Sequence, residues 1–439
     1  MDDERFHILK KSLQTVAETE ELARFLESQG TFSFPALENG LFPAAIAHES
    51  TGYQSIWVRD NIHVAHALNA VGKSGPACKA ISTLTEYFIK HQDRLGQIIS
   101  GQANATQVMN RPHIRFDGNT LGEIDEKWAH AQNDALGYYV WFYCLLLTQG
   151  KLEPIPASLE LLASFARYFE SIRFWEDADS GHWEEARKIE ASSIGTVLSG
   201  LKMLKRYLDQ SGNWDQFRHD GALVSAESVE ALIQQGQTAL DDILPAECIQ
   251  ADPLLARKYD GALLFLIFPL GLVQGEMAET IMEDVRSHLM GEYGIRRYQG
   301  DSYWCADYKD MLGEDDRTVD FSDDQSSRDK LLKPGQEAQW CIFDSVMSVI
   351  YGQRFLQSSN QEDLDKQRFH LDRSLSQLTT SESVFGPYKC PESFYLEKGR
   401  YVPNDITPLL WTQGNLMMAL QQWKQTLKSR ESDKDSTLF

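Results

Sequence analysis

A chain of 439 residues, 42% hydrophobic and 11% aromatic, can bury a large core, which excludes a disordered or fibrous protein. Its formal charge of −22 repels phosphate backbones and anionic lipid, and no basic patch offsets it, so neither nucleic-acid nor membrane binding is expected. The acidic start Met1-Asp2-Asp3-Glu4-Arg5 is unlike a signal peptide, and the most apolar run, Ala262 to Val273, is too short to span a bilayer; a soluble, cytoplasmic protein is expected.

Apolar residues recur at three- and four-residue spacing through most of the chain, while period-two alternation is rare, so the fold class is all-α. In chain order the pattern predicts helices over 3–28, 60–73, 75–94, 128–148, 157–173, 189–210, 226–243, 259–268, 276–290, 336–357, 361–379 and 405–428. The even-numbered segments are apolar on nearly all sides, as in the run Tyr138 to Leu147 and in Trp340-Cys341-Ile342-Phe343. The odd ones are amphipathic; the eleventh offers only a stripe of Leu364, Leu371, Leu375 and Leu378 among charges.

All-round apolarity means burial on every side, and a stripe means one wet face. Alternating buried and half-exposed helices predict six hairpins closed into a double ring, an (α/α)6 barrel. It is read as one domain over 1–439, with an acidic insertion at about 301–334 and a flexible tail at about 429–439. The insertion, rich in Asp and without helical period, reads either as a solvated loop or as part of a site wall.

The polar and aromatic residues collect where the chain enters the even helices: Trp57 to Asp60, Trp128 to Asp134, His182 to Glu185, Tyr259-Asp260, Arg297 to Trp304 and Pro391 to Tyr395. In an alternating barrel these entries share one face, so a cleft is expected there. Asp and Ser at single helix starts are also ordinary caps; the set in one register carries the argument.

Glu184, in Trp183-Glu184-Glu185, and Glu392, after Pro391, each precede an apolar-rich segment. Cleaving an acetal needs a proton for the leaving oxygen, together with a base-activated water or a nucleophile on the other face. Two carboxylates across a pocket supply both functions, and the apolar and acidic neighbours of Glu184 favour its protonated form. Trp57 and Arg59-Asp60 bring an aromatic face and a bidentate clamp for sugar hydroxyls within four residues. No HExxH pair, nucleophile elbow or phosphate-binding glycine loop occurs. The six cysteines, Cys78, Cys144, Cys248, Cys305, Cys341 and Cys390, lack paired spacing. Neither a metal nor a cofactor is expected.

With these residues laid out, the chain from about Tyr53 to Trp411 resembles the glucoamylase family of inverting α-glucosidases and the glucoamylase-like domain of phosphorylase kinase α and β subunits. The stretch Tyr53-Gln54-Ser55-Ile56-Trp57-Val58-Arg59-Asp60-Asn61 is similar to the family's substrate-gripping element. The resemblance implies that Arg59 and Asp60 clasp the non-reducing-end glucose, that Tyr53 faces the reacting carbon and that Trp128 stacks on sugar. His182-Trp183-Glu184-Glu185 resembles the Trp-Glu-Glu motif, implying Glu184 as general acid, with Trp183 in the sugar site and Glu185 on the leaving-group sugar. Arg297 resembles a second contact to that sugar, and Pro391-Glu392 the catalytic-base loop. The fold implied is again the (α/α)6 barrel.

No starch-binding module, N-terminal β-sandwich or C-terminal regulatory extension is recognisable, so the expected substrate is a short oligosaccharide or glucoside rather than a granule. The added length around 307–333 resembles the kinase-subunit branch. The expectation is therefore an exo-acting inverting glycosidase on short α-glucosides. Its rivals are a glucan-binding regulatory module without catalysis and the same mechanism on trehalose, isomaltose or a glucosylated metabolite. Oligomeric state is not legible.

Overall fold

The computed structural model describes residues 13–44, 55–313, 316–317 and 319–436. Its twelve principal helices are α1 Val16–Ser28, α2 Val58–Ala70, α3 Ser74–Lys90, α4 Asn133–Thr148, α5 Pro156–Ser171, α6 Ala191–Ser211, α7 Ala226–Ile243, α8 Leu263–Ile267, α9 Gly275–Asp284, α10 Ile342–Ser358, α11 Gln361–Ser376 and α12 Leu410–Ser436. Each corresponds to one segment of the sequence pattern.

Local chemistry sets several starts. Thr15 Oγ1 accepts from the Glu18 N–H (3.2 Å) while the Glu18 carboxylate accepts from the Thr15 N–H (3.0 Å), a reciprocal cap worth about 1 kcal/mol. Ser225 caps α7 and Asn360 caps α11 by a single side-chain acceptance, from the Ser228 and Glu362 N–H respectively. Packing then selects faces: every residue of α4 except Leu145 and Thr148 is buried, whereas α11 buries a stripe that includes Leu364, Leu371 and Leu375. Gly137 lets α4 lie almost backbone to backbone on α6, since a Cβ there would stand 2.6 Å from the Val197 nitrogen.

The even helices touch in sequence, α2 on α4, then α6, α8, α10 and α12, and α12 returns to α2. This inner ring is closed. Of the odd helices, α3 packs on α2, α7 on α6, α11 on α10 and α1 on α12, forming the outer layer of an (α/α)6 barrel.

The differences from the sequence pattern are informative. Helix α8 is short because its expected first turn belongs to the rim, where Asp260 pairs with Tyr298 in a β-bridge and the helix begins only at Leu263; at its other end Phe268, which precedes Pro269, is extended at φ −141°, ψ 127°, as a residue before proline tends to be. Helices α4, α10 and α12 begin about five residues later than the periodicity suggests, because Trp128 to Gln132, Gln339-Trp340 and Asp405 to Leu409 are rim loop or strand. Helix α12 continues to Ser436, past the expected start of a tail, since a helix already nucleated propagates through residues such as Lys and Glu.

Among the described residues eight short strands have no counterpart in the sequence reading. β1 Ile56–Trp57, β2 Arg115–Asp117 and β3 Gly122–Glu123 form one antiparallel sheet, with Trp57 opposite Arg115. β4 Arg218–His219 and β5 Ala222–Leu223 form a hairpin. β6 Gln339–Trp340, β7 Ser393–Glu397 and β8 Arg400–Pro403 form a third sheet, with Trp340 opposite Ser393. The two three-stranded sheets fix the rim entering α2 and α10. Among the described residues no helix is long and apolar enough to cross a membrane.

Candidate active site

The entries to the inner helices enclose a cavity of about 320 Å³. Trp57, Arg59 and Asp60 line it from the junction of β1 and α2; Trp128 comes from the loop before α4, and His182, Trp183 and Glu184 from the turn before α6. Arg297 and Tyr303 follow α9, Trp340 stands on β6, Glu392 precedes β7, and Trp411 opens α12.

Glu184 ends a single 3-10 turn, Gly181–Trp183, in the left-handed conformation at φ 58°, ψ 43°. Its carboxylate keeps about a fifth of its surface (20%). Oε1 accepts from Gln132 Nε2 at 3.2 Å and from Arg59 Nη2 at 3.4 Å. Arg59 is anchored in turn by Asp134 (2.9 Å) and Gln132 Oε1 (2.8 Å). Burial raises the Glu184 pKa; Arg59, Gln132 and Arg115 oppose it, Asp320 adds to it, and the net shift is upward. Asp60 is pushed up to about 6, by burial and then by Glu184, against the pull of Arg59. Both carboxyls therefore hold protons more readily than in water.

The next residue is arranged oppositely. Glu185 is 1% exposed and receives Arg257 Nη2 (2.9 Å), Arg297 Nη2 (3.3 Å), Arg328 Nη2 (3.2 Å) and the Tyr298 hydroxyl (2.5 Å). Burial works to raise its pKa, but the three guanidiniums prevail and hold it at about 2. Arg297 is further clamped by both oxygens of Asp301 at 2.6 Å. Trp183 donates its indole N–H to Asp260 Oδ1 (2.9 Å), and Arg297 lies 5.1 Å over its ring. The imidazole of His182 lies between Tyr138 and Ser192; burial drops its pKa to about 4, so it is neutral.

Glu392 is 4% exposed. Its backbone is held on both sides, donating to Ile406 O (3.0 Å) and accepting from the Cys341 N–H (2.9 Å). Asn404 Nδ2 donates to its Oε2 at 2.5 Å. Trp57 and Trp128 meet edge to face with centroids 6.1 Å apart, and Arg115 lies 4.1 Å over Trp128.

Of the residues singled out from sequence, Trp57, Arg59, Asp60, Trp128, Trp183, Glu184, Arg297 and Glu392 line this one cavity. Glu185 stands behind the wall, where it holds the arginines. Tyr53 lies outside the described residues. Sequence reasoning missed Arg115, Asp320, Phe321, Arg328, Trp340 and Trp411 as cavity residues. Trp340 and Trp411 were absorbed into apolar helical runs, and Asp320, Phe321 and Arg328 sit in the acidic insertion, whose residues do contribute to the wall. Arg115 had no motif around it; its only signal is the two-residue strand pairing with Trp57. Among the described residues no group of three or more His, Cys, Asp or Glu side chains is placed to hold a metal ion.

One carboxyl with raised proton affinity, one rigidly held carboxylate and a floor of indoles can bind a sugar ring and transfer protons at its anomeric centre. The profile of glycosyl hydrolases family 15 matches residues 27–331. The chain is 26% identical over 279 residues to the probable phosphorylase b kinase regulatory subunit alpha of Caenorhabditis elegans, covering 56% of this chain and 21% of that one. It thus spans about a fifth of that relative. A glycosidase solved in complex with glucose superposes with a TM-score of 0.65 at 17% identity, over 93% of this chain and 97% of that one. The glucoamylase of Saccharomycopsis fibuligera superposes with a TM-score of 0.59 at 13% identity, over 95% and 98%.

Proposed function

Since the chain belongs to glycosyl hydrolases family 15, we propose that it releases glucose from the non-reducing end of short α-glucosides with inversion, Glu184 acting as general acid and Glu392 as general base. One observation carries the assignment: the carboxyl with raised pKa and the carboxylate fixed by Asn404 face one small cavity. Burial raises the proton affinity of Glu184 and so favours its acid form, and its proton goes to the departing glycosidic oxygen. Glu392 removes a proton from the water that attacks the anomeric carbon from the opposite face. Proton transfers of this kind contribute ~10²- to 10⁴-fold each.

Arg59 and Asp60 are assigned to the hydroxyls of the glucose ring, Trp57, Trp128 and Trp183 to its apolar faces, and Arg297 to the leaving sugar. Tyr53 is assigned to the reacting carbon by family resemblance. The role of Glu185 is to keep Arg297 in place rather than to meet the sugar itself. An inverting mechanism requires the two carboxyl groups about 6.5–9.5 Å apart, against about 5 Å for retention.

The deciding experiment measures glucose released from maltooligosaccharides, isomaltose, kojibiose, nigerose and trehalose, with the product anomer followed by NMR. β-Glucose from the wild type and none from Glu392→Gln supports the assignment and names the linkage. Release of α-glucose as first product would refute inversion. The similarity to a kinase regulatory subunit favours a second reading, a glucan-binding regulatory module; saturable binding with no release of glucose from any substrate is its signature.

A further inference from the structure

The segment from Val319 to Asp329 belongs to the connection between α9 and α10, yet it is tied to two other entries on the rim. Lys127, just before Trp128, donates to Asp323 and lies 3.8 Å from Asp320. The Ala186 N–H, just after the two glutamates, donates to Gln325 Oε1 at 2.9 Å. From below, Arg328 reaches Glu185 (3.2 Å) and Ser302 (2.9 Å), and Ser302 donates to Asp329 (2.6 Å). The segment is thus held at the entries to α4, α6 and α10 together, and it presents Val319, Asp320 and Phe321 to the cavity.

Asp320 is the informative residue. Its side chain is 6% exposed, and its Oδ1 accepts from the Ser322 N–H at 2.9 Å. Its Oδ2 faces the Lys127 ammonium at 3.8 Å, beyond hydrogen-bond reach, and accepts no hydrogen bond among the described residues. Held by that long ion pair alone, the oxygen keeps room for a closer donor, which a ligand hydroxyl supplies.

Resting on the glucosidase reading above, we infer that residues 319–329 form a fixed wall across the leaving-group side of the cavity, restricting the enzyme to disaccharides and small glucosides, with Asp320 Oδ2 accepting a hydroxyl of the leaving group. The orientation follows from the assignments above: Arg59 and Asp60 take the glucose, and Arg297, assigned to the leaving sugar, shares Glu185 with Arg328 of this segment. The cavity of about 320 Å³ is near the lower end of ligand sites, ~300–1,000 Å³, which leaves little room for a longer chain.

The test compares kcat/KM for a disaccharide of the preferred linkage with that for the heptasaccharide. The wild type is expected to favour the disaccharide by about tenfold or more, and the double variant Lys127→Ala/Gln325→Ala, its folding checked by thermal unfolding, to lose most of that preference. Asp320→Ala is expected to raise KM for the disaccharide about tenfold, the loss of one hydrogen bond to a charged group, and to raise KM for α-glucosyl fluoride, which has no leaving-group hydroxyl, much less. Equal use of both chain lengths by the wild type, or equal loss on both substrates in Asp320→Ala, overturns the inference. Binding of the same series to Glu392→Gln, read by tryptophan fluorescence, separates the two claims. A protein that hydrolyses nothing but binds the disaccharide in preference retains the wall without the glucosidase, and one that binds both lengths equally loses the wall.

Discussion

Glu184 and Glu185 are adjacent in sequence and have opposite surroundings. The first is lightly held, keeps some contact with the cavity and holds a proton more readily than a free carboxyl; the second is sealed beneath the wall and bound by three guanidiniums that keep it ionised. A left-handed residue between a 3-10 turn and the following loop turns the two side chains apart. Residue type therefore says little about what a carboxylate does; the number and sign of its neighbours decide it.

The sharpest way to break this contrast is to neutralise each carboxylate. Glu184→Gln is expected to lower kcat on an unactivated disaccharide by ~10³-fold, within the usual range for a lost general acid, with the melting temperature almost unchanged. Turnover of α-glucosyl fluoride, whose leaving group needs no proton, should survive far better. An equal loss on both substrates would show that Glu184 is not the proton donor. Glu185→Gln should do the reverse, costing about 3–5 kcal/mol of stability in denaturant titration, because three buried arginines lose their common partner.

The same contrast governs stability in acid. The folded pKa of Glu185, about 2, lies below its ordinary value of 4.5, so its contribution is complete above about pH 4.5 and is lost as pH falls toward 2. At ~1.4 kcal/mol per pKa unit this amounts to about 3 kcal/mol. Comparing wild type with Glu185→Gln by denaturation at pH 6 and pH 3 checks it: the gap between them should shrink in acid. A smaller effect concerns the alkaline limb of the activity profile. Asp320 raises the proton affinity of Glu184, so Asp320→Asn should move that limb to lower pH by less than a unit; a shift to higher pH would contradict the geometry.

The barrel was legible because each inner helix is apolar all round and each outer helix has one stripe, a contrast that survives in any single sequence. Glu184 and Glu392 could be singled out because each stands between an aromatic or proline and an apolar-rich segment, although Glu392 enters strand β7 rather than a helix. Glu185 illustrates what could not be read. Its partners Arg257, Arg297 and Arg328 come from two different interhelical connections, and no local pattern announces that they converge. Arg115 and Trp340 owe their positions to strands of three and two residues, too short to leave a period. Asp320 lay in an insertion whose acidity reads equally well as solvation. Local periodicity reports which face of a helix is dry; it does not report which loops meet over the rim.

The left-handed backbone at Glu184 also bears on selection. Any residue with a Cβ at φ 58° carries local strain of roughly 1–2 kcal/mol, which glycine does not. A library of variants screened only for heat resistance would therefore enrich glycine at position 184 and yield a hardier, inert protein. Thermostability and turnover pull this single codon in opposite directions, so any directed-evolution campaign on the chain has to score both together.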